Sequence, residues 1–207
     1  MHRAAAALVA VAAWAGLTVQ SGATFSKTGS IATTVWILLR YFTILTNLLV
    51  AATMTSIASG RRISPFVLCG IALAILFVGI VYLTLLRGLV ELSGAALVAD
   101  ILLHYVVPLA MGVYWLAFAP KIGLRWRDPL LWCAYPFAYL AYVVVRGSID
   151  GRYPYPFIDV ASLGYGRTAL NSVLLLVAYI GAGLVLVALG RERRGDRGPL
   201  GRDGPNG

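Results

Sequence analysis

The residues Arg40-Tyr41-Phe42-Thr43-Ile44-Leu45-Thr46-Asn47 set a guanidinium, two threonine hydroxyls and an amide inside the apolar run Thr33 to Ile57. A run of that length suffices for a helix to cross a bilayer, which takes about 20 residues. On one continuous helix Arg40, Thr43 and Asn47 stand at i, i+3 and i+7 and share a face. Polar side chains at membrane depth are costly unless they meet a partner or a cavity. That face is therefore a candidate functional site, with Thr43 expected near the middle of the bilayer.

Five further apolar runs lie near Ala4 to Val19, Phe66 to Leu86, Gly94 to Ala119, Leu130 to Val145 and Leu170 to Leu189. Of the 207 residues 60% are hydrophobic and only 12% charged, where a soluble domain carries about 25% charged residues. The expectation is an all-α polytopic membrane bundle of six transmembrane helices, one domain spanning residues 1–190. The first run also resembles a secretory signal, with Arg3 before an Ala-rich core and Ser21, Gly22 and Ala23 after it; a retained helix is expected. Residues 191–207 are Gly, Arg, Asp and Pro with little to bury, so they read as a disordered basic tail.

Lys and Arg in alternate connections set the orientation. The amino end, the second and fourth connections and the tail hold eleven of them, against five in the opposite set, with Arg40 taken as intramembrane. Both termini are therefore expected on the cytoplasmic side. The net charge of +9 is spread over these segments rather than gathered on one face, so nucleic acid is not an expected partner. Cys69 and Cys133 lie in apolar runs without metal-type spacing. Neither a disulfide, a metal nor another cofactor is expected, and nothing sets the oligomeric state.

With this topology the fourth run also descends from the outer side, carrying Asp100, His104 and Pro108 at i, i+4 and i+8. The fifth presents Tyr135, Tyr139, Tyr142 and Arg146 at helical spacing, and Asn171 opens the sixth. Polarity thus gathers in the outer half, which points to a pocket opening outward or sideways into the outer leaflet. A threonine hydroxyl becomes a nucleophile when a base takes its proton, and histidine is the side chain suited to that task near neutral pH. Thr43 is the candidate nucleophile and His104 the candidate acid/base. Asp100 is placed to orient the imidazole, Arg40 or Asn47 to stabilise an oxyanion, and Tyr142 to support them.

These residues also have plain structural uses. Arg40 can pair with Asp100 to satisfy two buried charges, the threonines and Asn47 can be interhelical hydrogen-bond glue worth about 0.6 kcal/mol each, and the tyrosines can form an interfacial belt. Two functions of different class remain open beside a purely structural one. The first is an intramembrane hydrolase of long-chain acyl esters acting on membrane lipid. The second is a non-catalytic binder or transporter of a lipid or small carboxylate, in which Arg40 and Asp100 form a gate or a carboxylate-binding site. The connection Gly147 to Thr168 is long and rich in Tyr, Pro and Gly, as lids and binding loops are; Tyr155 and Phe157 are its candidate substrate contacts.

Three segments resemble the androgen-induced protein family, six-helix membrane proteins whose studied animal members are threonine-dependent hydrolases of fatty acid esters of hydroxy fatty acids. Arg40-Tyr41-Phe42-Thr43 is similar to the family's basic-aromatic-apolar-Thr segment in the second span. Leu103-His104 with Val107-Pro108 resembles its histidine helix, and Tyr155-Pro156-Phe157-Ile158-Asp159 its Tyr-Pro-apolar-apolar-acidic connection before the last helix. The resemblance implies a cofactor-free enzyme with Thr43 as nucleophile and His104 as its partner. Thr46, Asn47 and the Arg40/Asp100 pair are not part of it. Compact loops and the basic tail suggest a bacterial member in the cytoplasmic membrane, where the animal lipid need not occur.

Overall fold

The computed structural model describes residues 1–195. Helices α1 (His2–Thr28), α2 (Ile31–Leu38), α3 (Phe42–Ala58), α4 (Pro65–Leu86), α5 (Gly94–Phe118), α6 (Asp128–Asp150) and α7 (Val160–Gly195) follow one another, with a 3-10 turn at Pro156–Ile158 and no strand among the described residues. Five of them, α1, α4, α5, α6 and α7, are long and apolar enough to cross a membrane, and the bent pair of α2 and α3 is long and apolar enough only when the two are taken together. The chain is an all-α polytopic membrane bundle. α1 packs along α3 and α5, burying Ala6, Ala13 and Leu17, while Met54, Ile75, Met111 and Trp115 fill the centre. Small residues let the helices approach, as in membrane bundles generally: a Cβ on Gly16 would stand 2.7 Å from the Leu103 side chain, and one on Gly79 3.3 Å from the His104 carbonyl oxygen.

The run Thr33 to Ile57 is not one helix. α2 ends at Leu38, α3 begins at Phe42, and their axes meet at 96°. Arg40 and Tyr41 lie in the break, Tyr41 extended as the N-cap, so Thr43 occupies the first turn of α3, directly after the break. No proline or glycine marks the position. What sustains the break is a set of donors on α6. The Arg146 guanidinium donates to the Trp36 carbonyl, the Tyr142 hydroxyl to the Leu39 carbonyl at 3.3 Å, and the Tyr139 hydroxyl to the Arg40 carbonyl at 2.9 Å. Backbone N–H groups reach the carbonyls of Val35, Ile37, Leu38 and Tyr41. Every carbonyl from Val35 to Tyr41 thus has a donor, which a broken helix in lipid requires. Tyr142, Tyr139 and Arg146 therefore serve the backbone of the break.

This arrangement makes a stability prediction. Tyr139→Phe leaves the buried Arg40 carbonyl without its donor and is expected to cost about 1–3 kcal/mol, read as a lower midpoint in thermal or denaturant unfolding in detergent. An unchanged midpoint would show that the break does not depend on this bond.

The connection before the last helix is shorter than the stretch Gly147 to Thr168 suggested. α6 runs to Asp150 and stops at the left-handed Gly151, and only residues 151–159 separate it from α7. Asp159 starts α7 by accepting from the N–H groups of Ala161 (3.0 Å) and Ser162 (3.2 Å), as an N-cap carboxylate does. Gly164, at φ 74°, interrupts α7 near its start. At the other end α7 continues to Gly195, so residues 191–195 are helical where a disordered tail was expected from 191; residues 196–207 lie outside the described residues. Cys69 and Cys133 are free thiols.

Candidate active site

Thr43, His104 and Asp100 form a chain of contacts. The Thr43 Oγ1 lies 3.2 Å from His104 Nε2, and His104 Nδ1 lies 2.9 Å from Asp100 Oδ1. Nδ1 also faces the Asp100 carbonyl oxygen at 3.2 Å. Both neighbours of Nδ1 are acceptors, so that nitrogen carries the proton. The lone pair of Nε2 is then turned to the threonine hydroxyl, the tautomer a general base needs. The other carboxylate oxygen of Asp100 accepts from the Tyr82 hydroxyl at 2.6 Å, and the Tyr82 ring stacks on the imidazole with centroids 4.0 Å apart. The imidazole is thereby held by its edge and by its face.

Two π-helical segments supply Tyr82 and His104, Tyr82–Leu86 at the end of α4 and Leu102–Val106 within α5. The second has a local cause. Pro108 has no N–H to give the His104 carbonyl, and its ring crowds that carbonyl in a regular helix. Widening the turn relieves the clash, and such bulges gather at functional sites. Gly79 lets α4 close onto Pro108 and the His104 carbonyl. Tyr82, one turn further on, is brought over the His104 ring by that approach.

Asn47 fixes α3 against α5. Wholly buried, it donates through Nδ2 to the carbonyl of Thr43 at 2.8 Å and to that of Leu103 at 3.4 Å, the residue before His104. Its amide therefore spans the two helices that carry Thr43 and His104 and is not directed at the threonine hydroxyl. Arg40 is also turned elsewhere. Its guanidinium pairs with Asp150, whose carboxylate Arg146 approaches at 3.9 Å, so the expected Arg40/Asp100 pair does not form. The reason is the break: without a continuous helix, Arg40 leaves the face that Thr43 and Asn47 share. The gate proposed for a transporter loses its two charges to other partners. Thr46 bonds the Phe42 carbonyl and the Tyr135 hydroxyl and acts as helix glue.

A cavity of about 410 Å³ lies between α4, α6, α7 and the 151–159 connection, with Thr43 in its wall. That volume falls within the roughly 300–1,000 Å³ of small-molecule sites. Its lining is almost wholly apolar, including Phe77, Val81, Leu140, Leu176 and Phe157. Phe137 on α6 and Val173 on α7, both in its lining, are also exposed on the surface of the bundle, so the cavity is not sealed from outside along these helices. Tyr155 and Phe157 stack with centroids 5.2 Å apart and also line it, and Asn171 holds their turn by donating to the Phe157 carbonyl at 3.0 Å. Only Thr43 of the Thr43–His104–Asp100 chain reaches this wall; the imidazole stands behind it.

Tyr82 is the member of the network that sequence reasoning missed. A tyrosine at the end of an apolar run reads as interfacial belt, and its link to Asp100 and His104 joins two separate helices. The fold and the site define a polytopic helical membrane protein with a hydroxyl–imidazole–carboxylate chain against an apolar cavity. Comparison of the chain with protein-family models, curated proteins and solved structures finds no match.

Proposed function

We propose that this protein is an intramembrane ester hydrolase that acts on long-chain acyl lipids, with Thr43 as nucleophile, His104 as acid/base and Asp100 as the group that orients the imidazole. The observation that carries the proposal is the 3.2 Å approach of the Thr43 hydroxyl to His104 Nε2 at the wall of an apolar cavity. The resemblance of the Arg40–Thr43, His104–Pro108 and Tyr155–Asp159 segments to the androgen-induced protein family supports the same assignment. The abundance of Lys and Arg on alternate connections favours cytoplasmic termini and an outer-leaflet site. The compact loops and basic tail favour a bacterial cytoplasmic membrane.

The proposed reaction consumes ester and water. An acyl chain enters between α6 and α7 and lies along the apolar lining, with its ester carbonyl at Thr43. Thr43 Oγ1 bonds to the carbonyl carbon as its proton passes to His104 Nε2, and the carbonyl π electrons move onto oxygen. Collapse of this oxyanion expels the alcohol, which takes the proton from His104. A water molecule then attacks the acyl-threonine by the same proton route, and releases the fatty acid. Asp100 faces the imidazolium that forms in both halves and stabilises it. The first turn of α3 offers a positive helix end to the developing negative charge.

The test is release of free fatty acid by the purified protein in detergent from a panel of esters of graded acyl length, with mass spectrometry for acylated Thr43. Hydrolysis that favours long over acetyl and butyryl chains is expected. Inactivity across the whole panel would reject the assignment, and saturable ligand binding without turnover would favour a binder. If the cavity holds the chain, Leu176→Trp, which fills it from α7, raises KM for long-chain esters and leaves acetyl-ester hydrolysis unchanged. Equal effects on both chain lengths would count against this binding mode.

A further inference from the structure

The proposed chemistry needs donors for the carbonyl oxygen, and the two residues first considered for that role are occupied. Arg40 is paired with Asp150, and Asn47 is bonded to two backbone carbonyls. Three tyrosines from other parts of the chain bond residues 40–46 through their hydroxyls, and two of them are also spoken for. Tyr139 donates to the Arg40 carbonyl, and Tyr135 bonds the Thr46 hydroxyl. Tyr155 differs. Its hydroxyl oxygen accepts from the backbone N–H of Thr43 at 3.4 Å, and both residues line the same cavity.

We infer that Tyr155 is a catalytic residue of this site, donating its phenolic hydrogen to the oxyanion formed on the substrate carbonyl, with the Thr43 backbone N–H as the adjoining donor; this deepens the hydrolase reading and rests on it. Attack by Oγ1 needs the carbonyl carbon within about 3–3.5 Å. That position places the carbonyl oxygen beside the nucleophile's own N–H, and oxyanion donors act at about 2.7–3.1 Å. The Thr43 N–H has no helical acceptor, because α3 begins at Phe42, and its long 3.4 Å bond to the Tyr155 oxygen gives way to the stronger acceptor when the oxyanion forms. Tyr155 is 9% exposed, and burial pushes its phenol above the ordinary value, so the group keeps the hydrogen that it gives. Its ring is braced edge-on by Tyr41 and face-on by Phe157. A donor held this way costs little reorganisation when charge develops.

The experiment compares wild type with Tyr155→Phe, which keeps the ring and its stacking and removes only the hydroxyl. kcat for a long-chain ester is expected to fall about 100-fold, as on loss of one oxyanion donor, with KM unchanged. A long-chain trifluoromethyl ketone, which forms a tetrahedral adduct with the nucleophile, loses affinity by the same factor. The unreactive ether analogue of the substrate binds both proteins equally. A merely structural role for Tyr155 would instead weaken the ether and raise KM, and that outcome overturns the inference. An active wild type with unchanged kcat in Tyr155→Phe also overturns it and leaves the hydrolase reading standing. An inactive wild type overturns both.

Discussion

Thr43→Ala and His104→Ala are each expected to lower kcat for a long-chain acyl ester by about 10⁴-fold or more, because the proposed nucleophile and its base act as one unit. For the same reason the double variant should be scarcely slower than either single one. The hydroxyl lies 3.2 Å from Nε2, and no other imidazole is available to it, since the chain's second histidine is His2 at the start of α1. Thr43→Ser keeps a hydroxyl at this place and should retain measurable turnover with an acyl-serine in place of the acyl-threonine. Fatty acid release, and the mass of the acylated peptide, check all four variants. Monodisperse elution and an unaltered unfolding midpoint establish that the folded state persists. Activity equal to wild type in Thr43→Ala or His104→Ala would remove the nucleophile–base assignment.

Asp100→Asn is expected to cost nearly as much, about 10³–10⁴-fold in kcat, through the imidazole tautomer. In the native site one carboxylate oxygen accepts from Tyr82 and the other faces His104 Nδ1. An asparagine must place its oxygen on one side and its NH₂ on the other. The Tyr82 hydroxyl, donating at 2.6 Å, favours the amide oxygen on its own side. The NH₂ then points at Nδ1 and, against the Asp100 carbonyl at 3.2 Å, favours the ring with that nitrogen unprotonated, in which Nε2–H faces Thr43, unable to accept. Adding Tyr82→Phe frees the amide to turn its oxygen to Nδ1. The double variant Asp100→Asn/Tyr82→Phe should therefore be faster than Asp100→Asn alone, although each substitution removes a polar contact. Strictly additive losses would show that Asp100 acts by charge alone and not by setting the tautomer.

The composition and length of the apolar runs determined the all-α membrane bundle, because lipid leaves the backbone no alternative to satisfying its hydrogen bonds within helices. The five single-helix crossings were legible for that reason. The link between Asp100 and His104 was also legible, since residues at i, i+4 meet on any regular or nearly regular helix. Pro108 carried a local signal for the widened turn in α5 that periodicity alone does not register.

Only the tertiary structure decided where Thr43 stands. The 96° break between α2 and α3 has no proline or glycine behind it and exists because Tyr139, Tyr142 and Arg146 on α6 supply the donors its carbonyls need. That same break took Arg40 to Asp150 and away from Asp100. The meeting of the Thr43 hydroxyl with Nε2, and of Tyr82 with Asp100, depends on the rotation and depth of helices relative to one another. Close packing at Gly79 and the anchoring of Asn47 to the Leu103 carbonyl fix these quantities. They arise from contacts between distant parts of the chain, so a pattern read along one helix does not contain them.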